Sequence, residues 1–269
     1  MKKLLALVLT VLLTLSLGAG ALSENVLRVG MECNYAPYNW TQADPSDSAV
    51  AISAGGYADG YDVEIAKLLA QGLGMELEIV KTEWDGLVMS LTSGKIDAII
   101  AGMSPTAERK TAIDFSDPYY ESELVLVVSK DGPYASATKL SDLSGAKITG
   151  QLNTFHYTVI DQIPGVTKVT AMETFPAMIV ALTAGAIDGY VSERPGAISA
   201  MSANPNLACV QFGDGQGFAC EPSDAAISVG LVKGSALLEP MNQILAGLTK
   251  EDRQALMDKA VANQPLNAQ

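Results

Sequence analysis

LTSGKIDAIIAG, Leu91 to Gly102, returns 91 residues later as LTAGAIDGYVSE, Leu182 to Glu193. Leu-Thr, a glycine and Ile-Asp keep their register between the two copies. In each, an apolar helix ends at a C-cap glycine, Gly94 or Gly185, and the chain turns into a buried strand, Ile96 to Ala101 or Ile187 to Val191. A period of 91 is too long for a solenoid and suits two similar domains, each built around one supersecondary unit.

Working outward from the first copy, short β-rich runs alternate with helix-like segments from Val26 onward, the pattern of an α/β protein. Leu27 to Met31 reads as the first strand, Tyr61 to Gly72 as an amphipathic helix ending at glycine, and Glu76 to Val80 as the second strand. Trp84 to Ser93 reads as a helix stopped by Gly94, and Ser104-Pro105-Thr106 as a turn opening another. Ligands of open α/β sheets bind beyond the carboxyl ends of the strands. That rule puts Gly102-Met103-Ser104 and Ser192-Glu193 at equivalent edges, so a ligand between two facing lobes meets both.

The chain has 269 residues, 48% of them hydrophobic and 17% charged, a globular composition. Lys2 and Lys3, an apolar run from Leu4 to Leu17 and Ala19-Gly20-Ala21 form a signal peptide over residues 1–21, too short for a membrane span. No later apolar run reaches spanning length. Without the two leader lysines, 15 basic residues face 30 acidic ones, and such a surface repels nucleic acid. The three cysteines, Cys33, Cys209 and Cys220, have no metal-ligand spacing, and no metal or cofactor is expected. Whether Cys209 and Cys220 close a bridge around the Gly213 to Gly217 stretch is open at this level. His156 is the single histidine and is read as a helix-face residue; no nucleophile elbow or P-loop is present.

Gly102 to Lys110, GMSPTAERK, combines a glycine, two hydroxyls, a helix start and Arg109, which together suit an anion; the plain alternative is a capped helix with a surface arginine. Glu193 follows an apolar strand, where a carboxylate needs a cation or several donors; a ligand ammonium would serve, and the plain alternatives are an exposed loop glutamate or a pair with the neighbouring Arg194. Arg109 on one lobe and Glu193 on the other would hold the two ends of a zwitterion. In GQLNTFH, Gly150 to His156, Asn153 tolerates positive φ and would turn the Thr154 N–H toward an anion, or serve as an ordinary N-cap. Tyr35, Tyr38 and Trp40 cluster after the first strand and Trp84 after the second, as walls for a ligand side chain or as packed core. Glu32 and Asp62 add carboxylates near that edge and lean the side chain toward a basic or amide group.

LRVGMECNYAPY (Leu27 to Tyr38), GYDVEIAKLLAQGLG (Gly60 to Gly74), WDGLVMSLTSGKIDAIIAGMSPTAERK (Trp84 to Lys110), DFSDPYY (Asp114 to Tyr120) and IDGYVSERPGA (Ile187 to Ala197) together resemble the polar-amino-acid solute-binding proteins of ABC importers, family 3 of the bacterial extracellular solute-binding proteins. The resemblance implies a type II periplasmic-binding-protein fold: two α/β lobes joined by two hinge strands. It divides the chain into lobe 1 over residues 26–127 and 228–266 and lobe 2 over residues 128–227, with crossings at Leu124 to Ser129 and Ala226 to Val232. It implies that Arg109, Ser104 and the helix start at Thr154 bind an α-carboxylate, and that Glu193, with the Gly102 carbonyl, binds an α-ammonium. Tyr35 and Trp84 would flank the side chain and Glu32 would read its polar end. Asn153-Thr154-Phe155 departs from the family's Gly-Thr/Ser loop and its second hydroxyl. The signal segment lacks a lipobox cysteine, so the resemblance implies a diffusible periplasmic or secreted monomer that takes a free L-amino acid to a membrane permease.

Two other classes compete. Cyclohexadienyl and arogenate dehydratases resemble the same fold and require a general acid, for which only Glu173 and His156 offer themselves. A sensor module requires a membrane span after the second lobe, and the sequence to Gln269 has none.

Overall fold

The structure, a computed structural model, describes residues 25–265. The signal segment expected at residues 1–21 lies outside them. Each lobe is built on a five-stranded sheet with the repeat strand at its centre, and the first also carries a four-stranded sheet of short strands between Asn34 and Asp59. In lobe 1 the order is Glu76–Lys81, Val26–Met31, Ala98–Ile99, Gly230–Leu231, Asp114–Phe115. In lobe 2 it is Thr167–Lys168, Lys147–Thr149, Gly189–Glu193, Leu124–Ser129, Leu207–Cys209. On one side of each central strand runs a parallel neighbour, and on the other an antiparallel strand adjoining the hinge.

The repeat holds at the level of single hydrogen bonds. Asp97 Oδ2 accepts from the Arg28 N–H at 2.9 Å, and Asp188 Oδ2 accepts from the Lys147 N–H at 2.8 Å. The Asp97 and Asp188 amides return bonds to the Arg28 and Lys147 carbonyls. Gly94 and Gly185 sit in the left-handed region at φ 76° and 72°, each ending its helix where a side chain would strain the turn. Ile96 and Ile187, next in line, are buried. Thus the same short sequence directs each lobe to seat its central strand against the preceding parallel one.

Between the lobes, Tyr120–Glu121 pairs antiparallel with Ala226–Ile227 as a two-stranded hinge. The first crossing therefore precedes the expected Leu124 to Ser129. That segment is the second lobe's own strand, Leu124 to Val128 pairing with Glu193 to Gly189, so lobe 2 begins at Leu124 and not at residue 128. An apolar run buried on both faces needs partners along both edges, which a hinge does not supply.

The first long helix runs Tyr61–Leu73, one residue past Gly72, and is capped by Gly74 at φ 66°. Gly72 is a packing position: a Cβ there would lie 2.6 Å from Ile244 on the helix Leu238–Ala246. Ile65, Ala66 and Leu69 of the same helix are buried, each large side chain contributing about 1.5 to 3 kcal/mol of burial. Lys250–Asn263 starts with a Thr249–Asp252 capping box, and beyond its end Gln264 is buried with Ser199 of lobe 2. No helix among the described residues is long and apolar enough to cross a membrane.

Candidate functional site

The lobe 1 wall is the loop Gly102 to Arg109. Gly102 turns at φ 62°, which favours glycine, and a Cβ on it would sit 3.1 Å from the Tyr35 ring, a tight contact. Its N–H donates to the Tyr119 hydroxyl at 3.3 Å, which in turn donates to Asp62 Oδ1 at 2.7 Å. Asn39 Nδ2 donates to the other Asp62 oxygen at 2.7 Å. Asp62 is therefore a fully buried strut beneath the loop, its pKa pushed up to about 6 by burial, and it does not face the cleft as its sequence position suggests. Met103 likewise points into the lobe 1 core. Ser104 is buried at the surface of the cleft, and its carbonyl accepts from the Arg109 guanidinium at 3.0 Å. Burial lowers the Arg109 pKa to about 10.

The lobe 2 wall is the turn Gln151 to His156 and the end of the strand Gly189–Glu193. Asn153 adopts φ 54°, the left-handed conformation expected of it. Thr154 then becomes the N-cap of a short helix, Phe155–Thr158, and its hydroxyl donates to the Gln151 carbonyl at 2.7 Å. His156 is not on an exposed helix face. It is 4% exposed, with Nε2 3.0 Å from Glu193 Oε1. The two do not form a hydrogen bond, and both imidazole nitrogens and Glu193 Oε2 are buried without a partner. Burial drives the two in opposite directions, Glu193 up to about 8 and His156 down to about 3, the latter helped by Arg109. Arg194, offered by sequence as a partner for Glu193, instead pairs with Glu123.

The walls meet directly. Arg109 donates to the Asn153 carbonyl at 3.2 Å, and Asn153 Nδ2 donates to Asp85 at 2.9 Å. The guanidinium lies 4.9 Å over the Trp84 ring. Gln151 Nε2 donates to Glu32 Oε2 at 3.0 Å. Tyr35 stacks on Phe175 with centroids 4.0 Å apart and planes 8° from parallel. The resulting cavity is lined by Tyr35, Trp84, Gly102, Ser104, Arg109, Gln151, Thr154, Phe155 and His156. Tyr38 and Trp40 are not there: Tyr38 packs edge-on against Tyr61 and Tyr120, and Trp40 bonds Gln42. The three cysteines are free, so Cys209 and Cys220 form no bridge.

Gln151 and His156 line this cavity and Phe175 backs Tyr35, and residue order alone singles out none of the three as a ligand contact. Phe175 had a signal, because extending the 91-residue repeat upstream sets Trp84 opposite Phe175. A wider groove of about 490 Å³ lies behind the hinge, between Glu123, Arg194, Ile198 and Met257. Its ion pair, Glu123 with Arg194, is already formed. The unpartnered carboxyl oxygens of Glu32 and Glu193 lie at the narrower cleft.

Known proteins match this architecture along nearly the whole chain. The ABC transporter arginine-binding protein 1 of Escherichia coli (strain K12) is 30% identical over 257 residues, covering 92% of this chain and 93% of that protein. The L-cystine-binding protein of the same strain is 30% identical over 237 residues, covering 88% and 82%. The crystal structure of an amino acid ABC transporter substrate-binding protein from Streptococcus pneumoniae, bound to L-arginine, superposes with a TM-score of 0.75 at 29% identity, covering 88% of this chain and 94% of that one. The fold is the type II periplasmic-binding-protein fold. Residues 27–262 match the bacterial extracellular solute-binding proteins, family 3, and the chain belongs to that family.

Proposed function

We propose that this chain is the secreted substrate-binding component of an ABC importer, closing its lobes over one free amino acid with a basic or amide side chain. The observation that carries the reading is the meeting, at one cleft, of a half-buried guanidinium and a buried carboxyl group from two lobes: Arg109 from the first, and from the second Glu193, whose Oε2 has no partner. A buried carboxylate without a cation is costly, and an α-ammonium supplies one. Arg109, Ser104 and the Thr154 amide suit the α-carboxylate. Tyr35, backed by Phe175, and Trp84 flank the side chain, which extends toward Glu32.

The chain reaches the periplasm or exterior by cleavage of residues 1–21 and hands its ligand, as a monomer, to a membrane permease. Support for a partner touching both lobes comes from Met89 and Val180, 74% and 61% exposed. They occupy the same position of the 91-residue repeat, one on each lobe, just beyond Trp84 and Phe175.

A thermal-shift screen of the common amino acids tests the reading, since a ligand at 100 times its Kd stabilises by about 2.7 kcal/mol. Small-angle scattering on the best ligand should show no expansion and a compact closed form. A panel with no stabilising amino acid, or turnover of prephenate or arogenate, would overturn it.

A further inference from the structure

Gln151 is 2% exposed and spans the cleft floor from lobe 2. Both protons of its amide nitrogen are used: one goes to Glu32 Oε2 and the other to the Glu173 carbonyl, each at 3.0 Å. This pair of acceptors fixes the amide's orientation, because a flipped amide would set its oxygen against two other oxygens. Glu32 is 3% exposed, and its second oxygen, Oε1, is buried with no partner. One carboxylate oxygen is thus committed to the protein and one is open.

We propose that Gln151 is a specificity-determining residue: by occupying Glu32 Oε2 it leaves one oxygen for the distal group of the ligand, so the pocket favours a compact donor, an ammonium or amide, over a guanidinium. Arginine's planar fork gains most from a carboxylate when both oxygens accept in parallel. An ammonium is a point charge and needs no second oxygen in a fixed direction. The inference rests on the reading that an amino acid lies in this cleft with its side chain toward Glu32.

Calorimetric titration of the mature protein with L-lysine, L-glutamine and L-arginine tests it. In the unmodified protein, lysine or glutamine binds at least as tightly as arginine. Gln151→Met keeps the chain length and removes the donor, and the arginine-to-lysine affinity ratio should then rise about tenfold. In the Glu32→Gln background the same substitution should leave the ratio unchanged. An unmodified protein that binds arginine tenfold or more above both others overturns the proposal with no variant required. So does a ratio unmoved by Gln151→Met in a protein of retained melting temperature, or a shift that survives Glu32→Gln. If the unmodified protein binds none of the three, the amino-acid reading fails and takes this inference with it, an outcome distinct from the others.

Discussion

His156 Nε2 stands 3.0 Å from Glu193 Oε1 in a buried setting, with no other cation supplied to the carboxylate. Burial holds Glu193 up to about 8 and His156 down to about 3, so at neutral pH both are uncharged. An arriving α-ammonium favours the Glu193 carboxylate, and His156 has no affinity to take the displaced proton. Binding below pH 8 therefore releases a proton to solvent. Affinity should rise with pH by up to about tenfold per unit and level off above 8. Titrations at pH 7 in buffers of different ionisation heat should report close to one proton released for a neutral side chain. A count near zero would mean that Glu193 is not the ammonium partner.

The same groups set the stability of the unliganded protein. Because the folded-state pKa of His156 lies below its unfolded value of 6.5, the unfolded chain binds the extra proton, and stability is lost as pH falls from 6.5 toward 3. Glu193 works the other way, its folded value lying above 4.5, so its contribution is lost as pH rises from 4.5 toward 8. His156→Phe should flatten the acid limb of melting temperature against pH. An unchanged limb would place His156 in solvent contact.

Glu32→Gln should weaken lysine far more than glutamine, because Glu32 meets the distal group and not the shared α-groups. A charge-assisted bond of this kind is worth about 1.5 to 3 kcal/mol, a tenfold to hundredfold change in affinity. Equal losses for both ligands in calorimetry would make Glu32 structural.

Asp62→Ala should behave differently. It orphans the Tyr119 hydroxyl and Asn39 amide, each worth about 1 to 3 kcal/mol when left buried and unpaired. The melting temperature should fall by several degrees while the preference among lysine, glutamine and arginine stays put. A changed preference at constant melting temperature would return Asp62 to the pocket.

Met89→Glu with Val180→Glu should leave amino-acid affinity within about twofold, since both side chains are exposed, neither lines the cavity, and exposed sites tolerate substitution. Uptake of the ligand by cells carrying the cognate importer should fall. Undiminished uptake would remove these two side chains from the permease contact.

Much of this molecule can be read from residue order, and the repeat explains why. Gly94 and Gly185, Asp97 and Asp188 act within their own neighbourhoods, so local pattern and backbone need coincide. The misplaced features depend on distant segments. Leu124 to Ser129 reads as an apolar run whether it crosses between lobes or sits inside a sheet, and only its pairing with Gly189 to Glu193 decides. Asp62 turns inward because Asn39 and Tyr119 receive it there. Gln151 looks like any polar loop residue until Glu32, 119 positions away, comes within reach. Asn153 was legible because its left-handed turn is a local property, although its bond to Asp85 was not.

The account stands on both ends of a free amino acid being held, the carboxylate by Arg109 and the ammonium by Glu193. The most direct measurement is calorimetry of the mature protein with its preferred amino acid, the Nα-acetyl form and the carboxamide form. The free amino acid should bind, and each blocked form should lose about 2 to 5 kcal/mol, at least thirtyfold in affinity, because each removes the charged partner of Arg109 or of Glu193. Blocked forms binding as tightly as the free amino acid would contradict the assignment of the cleft.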